Sequence, residues 1–476
     1  MNMLKFVRDA IAEKAGIVLD ANRKVWEYAE LSHSEYQSAA LLTGILRSEG
    51  FTVTEGLVGV PTAFKAVFGE GHPVMGFLGE YDALPVLSQQ AGCPTQNPVQ
   101  AGSPGHGCAH SALGAGSLAA ALAVKKYLQT TGESGTVIYF GCAAEENIGV
   151  KPLLAEAGEF ADVDGVFAWH PAAYNGVNPK PCISVSNIEY EFHGTTSHAG
   201  GAPHLGRSAL DACELMNVGV NYLREHVVSD ARLHYAYLDC GGTAPNIVQD
   251  HAKLLYCVRA PKWSQVKEIL ERVTNCARGA ALMTGTTMTC KLRMGYSDCF
   301  QNSIMAEILE EALREVGVPQ WDEADYALAR EYVAAYNPVQ RDNMIQQIRS
   351  KYPAEQFETK LNQPLDTAIL HYDKTVTGVD TFSTDVGDVG YVTPTASLSI
   401  ATQTIGCPGH SWYVTGMANS SIGEKGIIAA GETMALAALK AMHRPEALKA
   451  AREELIATTG GVYDCPMKGM RGPFTI

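Results

Sequence analysis

The sequence is poor in charge and poorer still in basic residues. Only 18% of its 476 positions are charged, and 36 Lys and Arg against 51 Asp and Glu leave a formal net charge of -15. The acids are scattered rather than gathered into blocks, and such a surface repels polyphosphate, which argues against nucleic acid as a partner. None of the 12 cysteines falls in a Cys-x-x-Cys pair or at a framework spacing. A disulfide-stapled scaffold is thereby excluded, and the thiols read as reduced, as expected in the cytoplasm. Long apolar runs are missing as well. The least polar stretch, 111–124, is Ala/Gly-rich and short of the roughly 20 residues a membrane-spanning helix needs. The first residues mix both charge signs and lead into no signal-peptide core. Internal repeats and low-complexity segments are also lacking.

What is present is enough apolar material, 46% of residues, for two or three cored units. Ser34 to Gln37 has the form of a capping box before a helix that Gly50 stops. Apolar runs of strand length at 63–68, 74–78, 136–140 and 165–169 then alternate with a helix over about 110–128. That alternation predicts an α/β sheet covered by helices on both faces. Near residue 183 the pattern changes to strict polar/apolar alternation, as in a half-exposed antiparallel strand. Helices at 208–224 and 264–283 and strands at 233–239, 253–259 and 286–293 complete an α+β unit of four antiparallel strands and two helices. Helices at 303–316 and 422–442 and a strand at 396–401 then restore the α/β texture, so the α+β unit is an insertion. The expected division is 1–182, 183–296 and 297–476, with 318–395 unassigned.

Four segments carry chemistry to what should be one sheet edge. Gly105 to His110 places Cys108 and His110 two apart before a helix, and thiolate with imidazole suits a divalent metal such as zinc. The strand at 136–140 runs into Glu145-Glu146, where one carboxylate can coordinate and its neighbour can face a water as general base. Trp169-His170-Pro171 ends a third strand, and a Gly/Pro turn after 396–401 presents His410. Each element alone also fits a plain structural role. Cys108, His110, Glu146, His170 and His410 together supply enough donors for two ions if one donor or a water bridges them.

These elements, with the stretches 79–85, 88–93, 203–212, 279–284 and 383–389, resemble the dinuclear metallo-amidohydrolases, the family of aminoacylases, hippurate hydrolase, auxin-conjugate hydrolases and glutamate carboxypeptidases. The resemblance spans nearly the whole chain. It implies a metallopeptidase-type catalytic domain with a central mixed sheet, holding two divalent ions (Mn or Zn), and an inserted lid that also dimerises. Carried over, the metal ligands are Cys108, His110, Glu146, His170 and His410, and Glu145 is the general base. His198 and Asn246 of the lid would polarise the scissile carbonyl, with the lid histidine coming from the partner subunit of a homodimer, and Arg259 would hold the substrate carboxylate.

Two departures stand out. Relatives read Cys-Gly-His-Asp-x-His, whereas Ser111 and Leu113 here replace the acid and the second histidine, which bears on metal affinity or preference. Glu80-Tyr81-Asp82 stands where distant relatives place a ligand His before an Asp, leaving Asp82 either to orient a ligand histidine or to serve as a turn carboxylate. The expected reaction is hydrolysis of an N-acyl or N-aroyl amino acid such as p-aminobenzoyl-glutamate, with a dipeptide or an auxin conjugate as the alternative substrate and a related second subunit as a candidate partner. Two rivals remain: a cysteine hydrolase built on Cys108 and His110, and a catalytically silent metal-binding scaffold.

Overall fold

The computed structural model describes residues 2–474. It contains a mixed eight-stranded sheet and a separate four-stranded antiparallel sheet. The strands are β1 (Thr52–Glu55), β2 (Phe64–Glu70), β3 (Val74–Gly79), β4 (Gly135–Gly141), β5 (Gly165–Ala172), β6 (Asn175–Val177), β7 (Ser184–His193), β8 (Arg232–Asp239), β9 (His251–Ala260), β10 (Thr287–Tyr296), β11 (Ile369–Leu370) and β12 (Thr395–Ala401). The large sheet runs β1-β2-β4-β3-β5-β12-β6-β11. Its centre, β4-β3-β5-β12, is parallel. Buried on both sides, β3 and β4 read as unbroken apolar runs, as parallel central strands do.

Small residues let the helices approach one another and the sheet. The helices His110–Thr131 and Ser421–Met442 are Ala/Gly-rich and pack together, and a Cβ added at Gly431 would lie 2.6 Å from the Ala119 Cβ. At Gly116 the neighbour is Trp169, whose ring would stand 2.6 Å from an added Cβ. The Trp169 indole donates to the Leu113 carbonyl (2.9 Å), which satisfies its only polar atom and fixes the end of β5 against the helix.

The small sheet runs β10-β7-β9-β8. β9 shows the expected period of two, with Ala252, Leu254, Tyr256, Val258 and Ala260 buried against the helices Ala209–Leu223 and Trp263–Thr284. These residues form a core distinct from that of the large sheet. Among the described helices none is long and apolar enough to cross a membrane.

Three local expectations need correction. Ser34 does not cap a helix: the helix is Tyr36–Ser48, and the Glu30 carboxylate accepts the amides of Gln37 and Ser38 (both 2.9 Å). A charged acceptor has displaced the weaker hydroxyl cap. That helix is also the second of the chain, preceded by Met3–Tyr28, which packs on His110–Thr131. The unassigned stretch 318–395 holds helices Glu323–Ala334, Pro338–Lys351 and Phe357–Asn362, the first two initiated by Asp322 and Asn337 capping boxes.

Candidate metal centre

The carboxyl ends of β3, β4 and β5 and the loop after β12 converge on one cleft of about 470 Å³. Cys108, Glu145, Glu146, His170 and His410 line it, with Arg259 on the same wall. The backbone is bent to achieve this. Ala109 (φ 61°), Ala144 (φ 62°) and His410 (φ 48°) are non-glycine residues in the left-handed region, beside or at the proposed donors. Such strain persists only where surrounding contacts enforce it, and it concentrates at working sites.

Donor atoms fall into overlapping groups in which all atoms lie within 4.8 Å: Cys108, His110 and His170; Cys108, Glu146 and His410; and Glu80, His110 and Glu145. Cys108 Sγ is 3.5 Å from His170 Nε2, and His410 Nε2 is 3.6 Å from Glu146 Oε1. His170 Nδ1 faces the Pro171 carbonyl at 2.8 Å, so with the proton there Nε2 presents its lone pair to the cleft. His110 is oriented in the same way: its Nδ1 lies 2.8 Å from Asp82 Oδ1, leaving Nε2 toward the donors. Asp82 is itself held by the Ser32 hydroxyl (2.8 Å) and the Glu146 amide (3.0 Å), both on Oδ2. Of its two possible roles, Asp82 takes that of orienting a histidine.

The electrostatics favour a cation. Full burial raises the Asp82 pKa, but the charge of His110 and its hydrogen bond outweigh this and bring it down to about 2. Burial and then the Glu80 charge drive the Glu145 carboxyl well above its ordinary range. Burial likewise raises Glu146 and pushes the Cys108 thiol up to about 12. Crowded acids in a poorly solvated cleft resist ionisation until positive charge arrives. His110 Nε2 and Glu146 Oε1 are buried without a hydrogen-bond partner, and two such orphaned donor atoms fit a divalent ion.

Comparison with known proteins bears directly on this cleft. The model of peptidase family M20/M25/M40 matches residues 76–360. The chain belongs to that family. It is 37% identical over 467 residues to one of the two subunits of the p-aminobenzoyl-glutamate hydrolase of Escherichia coli, covering 97% of each chain. The Xaa-Arg dipeptidase of Mus musculus is 29% identical over 65% of this chain and 70% of its own. A dinuclear metal-binding peptidase of the M20 family from Bacillus subtilis shares the fold, with a TM-score of 0.57 at 17% identity over 91% of this chain and 99% of that one. Membership makes this M20 chain a hydrolase.

His198 and Asn246 lie elsewhere. They face each other across a short bridge between their loops, with the Ala199 amide donating to the Asn246 carbonyl (2.9 Å), and both side chains stand outside the lining of the cleft. Arg259, by contrast, lines the cleft and approaches Ser383 Oγ at 3.5 Å. His106 is a core histidine, fully buried with Nε2 2.9 Å from the Val25 carbonyl. Of the two departures from the motif, Ser111 leaves its hydroxyl buried and unpaired, and Leu113 lines the cleft.

One arrangement is not legible in the sequence. Lys151 is fully buried between Glu80 Oε1 (2.7 Å) and Asp385, and Glu80 Oε2 lies 3.2 Å from His110 Nε2. Glu80 therefore shares its charge with Lys151, which makes it a weaker donor than Glu146. The signal available was Asp385 within the motif stretch 383–389, but nothing marked Lys151 as its partner.

Proposed function

We propose that this chain is a metal-dependent amidohydrolase cleaving the amide bond of an N-acyl or N-aroyl amino acid, p-aminobenzoyl-glutamate in particular. The observation that carries the reading is the convergence of Cys108, His110, Glu146, His170 and His410 into two donor groups sharing Cys108, with Glu145 beside them. Two divalent ions, manganese or zinc, fit that donor set, and when bound they acidify a water and polarise a carbonyl. Glu145 takes the proton of the attacking water and returns it to the leaving amine nitrogen. The Glu145 backbone is fixed for this task by the Tyr296 hydroxyl, which donates to its carbonyl at 3.1 Å. Arg259 grips the substrate carboxylate with its guanidinium fork.

Residues 183–296 act in this reading as lid and dimerisation unit on a catalytic body of 1–182 and 297–476. Because His198 and Asn246 lie outside the cleft of their own chain, the reading has the lid of a partner chain deliver them to the scissile carbonyl. That partner is a second copy in a homodimer, or a related second subunit, since the Escherichia coli hydrolase has two subunits and both are similar to this chain. The 12 free cysteines agree with a reducing, cytoplasmic setting.

The deciding assay is release of aminobenzoate from p-aminobenzoyl-glutamate by protein reloaded with manganese or zinc, with Glu145→Ala in parallel. Turnover abolished by chelator, and lost by on the order of a thousandfold in a mutant that still binds metal, supports the mechanism. Undiminished turnover in metal-loaded Glu145→Ala would remove the general base, and chelator-insensitive turnover would restore the cysteine hydrolase. Silence with both ions bound, across acyl amino acids and dipeptides and with a related second chain added, would leave the scaffold reading.

A further inference from the structure

The cleft wall carries both signs of charge. Beside the carboxylates of Glu80, Glu145 and Glu146 stand two cations, Lys180 and Arg259. Neither makes an ion pair with any carboxylate among the described residues. Lys151, close by, is consumed by Glu80 and Asp385. The nearest acid on the strap 380–384, Asp380, already accepts from Asn178 Nδ2 at 2.5 Å. In a chain with a net charge of -15, two uncompensated cations lining one half-enclosed cleft amount to a strong local bias toward an anionic ligand.

Both cations are anchored to the same strap. The Asp380 amide donates to the Pro181 carbonyl (2.8 Å), the Ile183 amide to the Phe382 carbonyl (3.2 Å), and the Ser383 hydroxyl to the Ile183 carbonyl (2.8 Å). Lys180 leads into this ladder, while Arg259 reaches the same Ser383 from β9. The Lys180 amide is fixed by Asn178 Oδ1 at 3.2 Å, so the root of its side chain is positioned although the ammonium is free. The two differ in what they grip: a guanidinium fork matches one planar carboxylate, whereas an ammonium on a flexible stem serves as a point charge.

We infer that Lys180 is a specificity residue that binds the side-chain carboxylate of the leaving amino acid while Arg259 binds its α-carboxylate, so the cleft selects N-acyl derivatives of dicarboxylic amino acids. This rests on the reading of the cleft as an N-acyl amino acid hydrolase site. It goes beyond that reading by assigning the second carboxylate to a named residue.

The test compares p-aminobenzoyl-L-glutamate with p-aminobenzoyl-L-glutamine, which differ only in that carboxylate, on metal-loaded wild type, Lys180→Met, Lys180→Arg and Arg259→Met. Losing one charge-assisted contact lowers the glutamate-to-glutamine ratio of kcat/KM in Lys180→Met on the order of tenfold, chiefly through KM. Lys180→Arg keeps most of the ratio, and Arg259→Met impairs both substrates alike. An unchanged ratio in Lys180→Met overturns the assignment. Calorimetric binding of L-glutamate and L-glutamine to the same proteins needs no turnover: wild type should prefer glutamate and Lys180→Met should not, and equal binding of the two by wild type would equally overturn it. If neither amide is cleaved, the hydrolase reading fails while the binding preference still decides the role of Lys180.

Discussion

Asp82→Asn isolates the residue that aims His110. Oδ1 faces His110 Nδ1 at 2.8 Å, while Oδ2 accepts from the Ser32 hydroxyl and the Glu146 amide. All three neighbours can act as donors, and Asp82 is 1% exposed. An asparagine offers one oxygen and one NH2. Whichever way the amide turns, a donor faces a buried donor: the Glu146 amide in one orientation, His110 Nδ1–H in the other. One hydrogen bond is lost and one buried donor is orphaned, a cost of about 1–3 kcal/mol, and the group that orients a ligand histidine is worth roughly 10- to 100-fold in metal affinity. The charge adds a pH signature. The Asp82 pKa falls from 3.8 to about 2 on folding, so ionised Asp82 favours the folded state by on the order of 2 kcal/mol. A depressed carboxyl pKa gives stability that is present above 3.8 and disappears as pH falls through about 2. Urea unfolding should therefore separate wild type from Asp82→Asn at pH 6 and bring them closer toward pH 3, while calorimetric titration of the chelated proteins shows weaker metal binding in the variant. Metal affinity within twofold of wild type, or a stability gap independent of pH, would refute the orienting role.

Two further perturbations probe what supports the site. Lys151→Met leaves Glu80 and Asp385 buried without their shared cation and should destabilise the protein by roughly 3–5 kcal/mol in chemical unfolding; a loss under 1 kcal/mol would mean that solvent reaches the pair. Gly116→Ala drives a methyl to 2.6 Å from the Trp169 ring and should cost about 1–3 kcal/mol with a change in tryptophan emission; wild-type stability and spectrum would show that the β5–helix contact is loose.

Periodicity revealed most of the architecture because burial in this chain is one-sided where it is regular. β9 buries every second residue, and its alternation is plain in the residues themselves. The helix Ser421–Met442 is betrayed by its alanines, which have no other reason to recur at that density. The segment 318–395 resisted because Pro338–Lys351 buries only Met344 and Ile348, too few apolar positions to impose a period, although its Asn337 capping box is local and readable. Met3–Tyr28 spreads seven buried residues over 26, among charged neighbours that blur its apolar stripe. At the site the asymmetry is chemical. Donor residues such as Cys108 and His410 are unusual in glycine-rich turns and draw notice, whereas Lys151 resembles any surface lysine until a fold places it between two acids.

The same buried charges serve folding and chemistry at cross purposes. The cleft gathers Glu80, Glu145, Glu146 and Cys108 around a single strongly basic neutraliser, Lys151, with His110 contributing the other positive charge. Without ions, His110 is drawn well above its ordinary pKa, against the penalty of burial, by Cys108, Glu80 and Asp82, and acts as the resident cation. A metal ligand must give up that proton, so ion binding replaces one positive charge by another of higher valence and releases protons as it does so. Lys151 is engaged by Glu80 and Asp385 and remains in place during the exchange, which keeps Glu80 from competing for the ion. Asp82 remains charged throughout and holds the imidazole in register. Orientation and neutralisation are thereby assigned to different residues, and the cleft can exchange its cation without refolding its donors.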